Sequence, residues 1–270
     1  MQTTLSDHCL LNVSGVDASK LLQGQLTADV QALLPGQGQL AAHCQAQGRV
    51  ISLFLLFRTN DGFILCLPQR METIATTALR KYAVFYKTDI KPIRDYVVTA
   101  YAQTPRAAEA VATAVLPNGT TYLLTQTPHA NTTDTLANYY HHLVTHQIPC
   151  IFPETSGEFL PHDLNLLTLG AVSLNKGCYT GQEIIARMEY KATLKKQCYT
   201  ATVNEAVNIN DDVFPQGKSR AVGRIINVAT LDNKTYTVLM LLDHTALNSP
   251  LTTTQQTPYH LLTENERSHD

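Results

Sequence analysis

Apolar positions in the first third of the chain switch between helical and alternating spacing. Asp17 to Leu34 reads as helix, with Leu21, Leu22, Leu26, Val30 and Leu33 near the helical repeat; Gly24 divides it and Pro35-Gly36 stops it. Gly38 to Gln45 and Arg49 to Arg58, separated by Ala46, Gln47 and Gly48, predict an antiparallel hairpin, and Asp61-Gly62 turns into a further strand over 63–67. From Met71 to Phe85 the apolar positions Met71, Ile74, Ala75, Ala78, Leu79 and Tyr82 mark a half-buried helix, followed by a strand over 96–101. Pro105 and the Ala-rich stretch to Leu116 predict helix, the Asn118-Gly119 turn leads to a strand over 120–125, and Asn131 to Gln147 predicts helix again. Residues 148–163, with Pro149, Pro153, Gly157 and Pro161, form a long loop. Beyond residue 195 short strands over 198–203, 221–229 and 236–242, joined by polar turns, imply a small all-β unit. The pattern divides the chain into 1–195 and 196–270.

A length of 270 residues is ample for a sizeable core without staples. The longest apolar run, Val50 to Phe57 broken by Ser52, is far short of the roughly 20 residues that span a bilayer. The first eleven residues hold Asp7 and no Lys or Arg, unlike a secretory leader, so a cytoplasmic setting is expected. A net charge of -2 lacks the basic excess that grips phosphate backbones, which excludes stable general nucleic-acid binding as an expectation. Locally the balance differs. Residues 176–224 carry eight Lys or Arg against five Asp or Glu, a strip able to meet a small anion. The six cysteines are scattered with no C-x-x-C pair, which speaks against a zinc knuckle or a disulfide framework.

The segment richest in chemistry is Lys176-Gly177-Cys178-Tyr179-Thr180-Gly181-Gln182-Glu183, which opens a helix through Ile184, Ile185 and Met188. Thr180 and Glu183 fit a capping box. Cys178 precedes the cap, next to the positive end of the helix and to Lys176, and both favour the thiolate.

This octapeptide resembles the K-G-C-[FY]-x-G-Q-E signature of the YgfZ family, folate-binding proteins related to the glycine-cleavage aminomethyltransferases. The resemblance extends, in order, through Leu22 to Val30, Ala41 to Cys44, Lys81 to Phe85 and Ser156-Gly157 to Asn165-Leu166, and covers most of residues 8–195. It implies an α+β, three-lobed aminomethyltransferase-like folate-binding fold with a ferredoxin-like lobe and a C-terminal small β-barrel around a cavity for tetrahydrofolate. It implies a functional thiol at Cys178, with Lys176 as its electrostatic partner, and a role in assembly or repair of iron-sulfur enzymes. The partners would include radical tRNA-modifying enzymes. Two alternatives are a folate-dependent one-carbon (aminomethyl) transferase and a non-catalytic interaction protein.

Departures from the related enzymes bear on these alternatives. Where the aminomethyltransferases carry an Asp pair, this chain has Ser52 and Leu53, neither of which can be anionic. Aligning Pro149 with the Pro of the family's L/I-E-A-G-x-P segment puts Thr145 at the pterin-gripping Glu. The chain has no Trp; His8 and Tyr139 stand where the family places aromatics beside folate, and Tyr139 retains a stacking face. The residues expected to meet the cofactor are therefore His8, Tyr139, Ser52, Gln182 and Arg187, the last sharing a helical face with Lys191 for a glutamyl tail and followed by Lys195 and Lys196. His142 and His146, four apart, have metal-ligand spacing, but no carboxylate or Cys stands at a matching interval, so no metal is expected. His43-Cys44 are neighbours on a strand and point to opposite faces, which rules against a nucleophilic pair.

Overall fold

The computed structural model describes residues 1–105, 109–127, 134–191, 194–230, 234–263 and 266, and of residue 191 the backbone only. Most of the apolar alternation over 1–125 resolves into one nine-stranded mixed sheet. Its strands are β1 (Gln2–Thr4), β2 (His8–Ser14), β3 (Gln37–Cys44), β4 (Val50–Arg58), β5 (Gly62–Pro68), β6 (Asp89–Ile93), β7 (Val97–Tyr101), β8 (Ala112–Val115) and β9 (Thr121–Thr125). They lie in the order β1-β7-β9-β8-β3-β4-β5-β2-β6, with the β3–β8 pair parallel and the rest antiparallel. Helices α1 (Ala18–Gln25), α2 (Glu72–Ala83) and α3 (Leu136–Thr145) accompany this sheet, and α4 (Gln182–Lys191) leads to the second.

The second sheet comprises β10 (Lys196–Val203), β11 (Asp212–Pro215), β12 (Gly223–Thr230), β13 (Tyr236–Asp243), β14 (Leu251–Thr252) and β15 (His260–Leu261), in the order β14-β11-β12-β13-β10-β15, a nearly closed barrel. The alternating inward positions Ala201, Val203, Val238, Met240 and Leu242 fill it with a core of its own. The outward residues Cys198, Ile226, Leu239 and Leu241 join the larger core of the first sheet. The architecture is α+β, as expected.

Two predicted helices differ from the sequence reading. The predicted helix over Asp17 to Leu34 ends at Gln25, because other partners take over its backbone amides: Gln23 Oε1 accepts from the amides of Val30 (2.8 Å) and Gln31 (3.2 Å), and the Thr27 amide donates to the Ala42 carbonyl (2.9 Å). The Ala-rich stretch before Leu116 ends in β8 instead of helix over 112–115. The small side chains are needed for close packing, since a Cβ on Gly38 would stand 3.0 Å from that of Ala114; tertiary fit overrides helix propensity here. The apolar pattern foretells none of β1, β2, β6, β11, β14 and β15. Of the predicted helix over 131–147, residues 134–147 are described and 131–133 lie outside the described residues, as do 106–108 of the Ala-rich stretch.

Candidate functional site

The loop from residue 174 to 181 is tied to the rest of the protein from both sides, and this fixes where Cys178 stands. On one side is the carbonyl end of α1. The Lys176 ammonium, only 7% exposed, donates to the carbonyls of Gln23 (2.6 Å), Leu26 (2.7 Å) and Ala28 (2.8 Å) and lies 5.0 Å from the centre of the Tyr179 ring. A cation suits the negative end of a helix. Burial pulls this amine down to about 8, and the protonated form is the one with three protons for three carbonyls. The Thr180 amide donates to the Gly24 carbonyl (3.1 Å), and its hydroxyl to Gln25 Oε1 (3.2 Å).

On the other side is the turn between β3 and β4. Gly181 has φ +85 and Gly48 φ +76, and a Cβ on Gly181 would lie 2.7 Å from the Gln45 carbonyl oxygen. Only glycine allows α4 to start this close to the hairpin. Between these anchors Cys178 is exposed, whereas Cys9, Cys44, Cys66 and Cys198 are buried and Cys150 is half-buried. Burial pushes the Cys44 and Cys150 thiols up to about 12, so both are protonated at neutral pH.

The geometry places Lys176 at the end of α1, where three carbonyls hold its three protons and none is left to donate to the thiol. It also corrects one expectation. Thr180 spends its hydroxyl on Gln25 instead of on the amide of residue 183, so the helix start rests on Gly181 and not on a capping box. Gln182 is half-buried at the first position of α4, and Arg187 is exposed further along it; the side chain of Lys191 lies outside the described residues. Lys195 and Lys196 line a separate cleft of about 940 Å³ against the barrel, facing Arg220, Asp212 and Asp243.

His8 and Tyr139 do meet, with ring centres 5.9 Å apart, but as core. Tyr139 is 2% exposed, edge-on to Tyr122 and stacked obliquely on Tyr140. The cavity that both line, together with Leu53, Phe54, Leu143 and Ile151, measures about 30 Å³, room for a single water and below the 300–1,000 Å³ of ligand pockets. No carboxylate lines it. Thr145, at the position of the family's Glu, turns its hydroxyl to the carbonyl of His141 (3.0 Å). Ser52 is buried opposite His43 across the β3–β4 pair, its hydroxyl without a partner among the described residues. A pterin does not fit this cavity.

Room exists on the far side of His8. A crevice of about 590 Å³ is bounded by His8, Gln69, Glu72, Arg94 and Tyr96, of which the sequence reading names only His8, because two of the strands that assemble it, β2 and β6, were not foreseen. The His8 ring is held there by Nδ1, which donates to Asp7 Oδ1 (2.7 Å), while the Tyr140 hydroxyl donates to Asp7 Oδ2 (2.5 Å). Burial raises the Asp7 carboxyl, but the hydrogen bonds from His8 and Tyr140 outweigh it and hold it below the usual range. Neither this crevice nor the small cavity is lined by Cys178, Gln182 or Arg187, so the seven expected site residues fall into separate groups. Among the described residues no cluster of His, Cys, Asp and Glu has metal-binding geometry, and the His142 ring bonds Thr120 Oγ1 (2.9 Å). No helix of the described residues is long and apolar enough to cross a membrane.

No family profile matches the chain. The fold is similar to that of the glycine cleavage system aminomethyltransferase T from Bartonella henselae, with a TM-score of 0.67 at 10% identity, over 98% of this chain and 85% of that one. In sequence the chain is 33% identical to the tRNA-modifying protein YgfZ of Klebsiella pneumoniae (strain 342) over 265 residues, 85% of this chain and 81% of that protein. It is 30% identical to the tRNA-modifying protein YgfZ of Vibrio atlanticus (strain LGP32), over 89% of this chain and 84% of that protein. The aminomethyltransferase-like fold and two such relatives, each matched over most of its length, make this chain a member of the YgfZ family.

Proposed function

We propose that the protein is an accessory factor for iron-sulfur enzymes, among them enzymes that modify tRNA, and that it works through the Cys178 thiol. One observation carries this reading: of six cysteines only Cys178 is exposed, on a loop clamped to α1 and to the β3–β4 turn. A thiol held at the surface by a rigid frame reaches a partner without a change of fold. One thiolate does not complete the four-ligand set of a cluster, so Cys178 supplies a single ligand while the remainder come from the client. The aminomethyl-transfer alternative lacks the Asp pair at its aligned positions, where Leu53 stands and Ser52 is buried. The test is complementation of a strain without its own family member, scoring iron-sulfur enzyme activity and tRNA modification. Wild type restores both and Cys178→Ala neither; equal rescue by Cys178→Ala overturns the reading.

The volume of the crevice beside His8 favours a second element, a reduced folate bound there and not at Tyr139. Glu72 would accept from the amide and amino edge of the pterin, Tyr96 would offer a face for stacking, and Arg94 would hold a glutamyl carboxylate. The cofactor would supply one-carbon or reducing chemistry when bound. The chain contributes the pocket and its charges.

A further inference from the structure

The most exposed apolar side chains among the described residues lie on two neighbouring loops. Val16 is 85% exposed, Val84 75% and Phe85 81%, with Tyr82 on the same turn also open to solvent. They come from two loops, between β2 and α1 and between α2 and β6, that are fastened to each other. Asp17 Oδ2 accepts from the Lys87 amide (2.9 Å), and the Asp17 amide donates to the Lys87 carbonyl (3.4 Å). Gly15 allows that approach, because a side chain there would run into the Lys87 carbonyl. Within the Phe85 turn, the amides of Phe85, Tyr86 and Thr88 donate to the carbonyls of Tyr82 (3.1 Å), Ala83 (2.9 Å) and Tyr86 (2.9 Å). The apolar groups therefore sit on a fixed backbone, which lowers the entropy lost on binding.

Around them stand three exposed lysines, Lys20, Lys81 and Lys87. None forms an ion pair among the described residues, and the Lys20 ammonium lies 6.0 Å from the centre of the Tyr86 ring. The nearby carboxylates are engaged: Asp17 with the Lys87 amide and Asp89 with Lys91. A Phe and two Val inside a ring of unpaired ammonium groups is one half of an interface with an apolar centre and a charged rim. A second copy of this chain would bring lysines against lysines. An anionic bilayer would hold the three lysines at about 1 kcal/mol each, fewer than the clusters of 4–8 basic residues that mark lipid-binding segments.

We propose that the Val16, Val84 and Phe85 face docks a partner protein whose apolar pocket is rimmed by Asp and Glu, with Phe85 as the anchor in the pocket and Lys20, Lys81 and Lys87 on the rim. The proposal stands apart from the thiol reading, and Cys178→Ala leaves this binding unchanged.

The experiment places p-benzoylphenylalanine at Phe85, and as a control at the exposed Val115, in the full chain produced in cells, and irradiates them. The protein crosslinked at position 85 and not at 115 is identified by mass, purified and titrated against the unmodified chain. Phe85→Asp weakens its binding about tenfold or more, and Lys20→Glu with Lys81→Glu and Lys87→Glu weakens it and reverses the sign of its salt dependence. Phe85 supports little of the core, and unchanged circular dichroism and melting show that the variants fold. Crosslinks no stronger than at Val115, crosslinks to lipid or to a second copy, or a partner indifferent to Phe85→Asp each overturn the proposal.

Discussion

The Cβ position of Gly181 lies 3.0 Å from the Cα of Gly48, so the loop that carries Cys178 and the turn that joins β3 to β4 touch backbone to backbone. Both glycines have positive φ. Gly181→Ala therefore meets two penalties, a left-handed backbone costing about 1–2 kcal/mol and an overlap costing about 1–3 kcal/mol more. Gly170, at φ +71 with no atom within 4 Å of an added Cβ, suffers only the first. Urea unfolding of the two variants should show Gly181→Ala as clearly the weaker, and equal midpoints would contradict this contact.

A second expectation concerns Lys176. Replacing it by Met keeps the length of the side chain and leaves the Gln23, Leu26 and Ala28 carbonyls without their donor. Loss of stability should be about 3 kcal/mol, the usual cost of breaking a buried charged contact. Cys178→Ala, at an exposed position, should change stability by less than about 0.5 kcal/mol. If Lys176→Met were as mild as Cys178→Ala in the same denaturation assay, the ammonium would have no structural part.

These two residues also show how far the sequence carries. The octapeptide from Lys176 to Glu183 and the apolar spacing of Ile184, Ile185 and Met188 locate the loop and the helix after it, although the capping box read at Thr180 does not form. The partners of Lys176 are some 150 positions away, and no local pattern says that its charge turns toward the end of α1 and not toward Cys178. The hairpin of β3 and β4 is legible for the same local reason, as is the helix before Phe85. Strand β8 is not, because Ala112 and Ala114 are chosen by the closeness of β3 and not by their own preference. The occlusion at Tyr139 is likewise a matter of volume, which depends on residues from β2, β4, β5, α3 and the loop after it at once.

The His43 ring should set a limit at acid pH. It is buried, neither nitrogen has a partner among the described residues, and burial lowers it to about 4. An unfolded chain holds a proton on this ring below about pH 6.5, while the folded protein refuses it until about pH 4. The unfolded state thus binds more protons across this window. Stability is full above pH 6.5 and falls as the pH drops toward 4, by up to about 3 kcal/mol from this group at about 1.4 kcal/mol per unit. His142, lowered to about 4 by burial and by His146, acts in the same direction. His43→Leu should therefore reduce the fall in unfolding free energy between pH 6.5 and 4 by up to about 3 kcal/mol, leaving the share of His142 and of His162, which burial also lowers; an unchanged slope would show that the ring is solvated.

The place of the cofactor can be decided by which residues sense it. If a reduced folate occupies the crevice beside His8, tetrahydrofolate at millimolar concentration raises the melting temperature of the protein, since a ligand that binds only the folded state stabilises it in proportion to the logarithm of its concentration over Kd. Arg94→Ser and Glu72→Gln should each reduce that rise, Arg94→Ser most for polyglutamylated forms, because the added carboxylates meet the guanidinium. Tyr139→Phe, in contrast, should leave the rise intact: the ring remains, and the cavity behind it of about 30 Å³ holds no pterin. A rise abolished by Tyr139→Phe and indifferent to Arg94→Ser would return the ligand to the inner cavity, and no rise at any concentration would remove folate from the protein altogether.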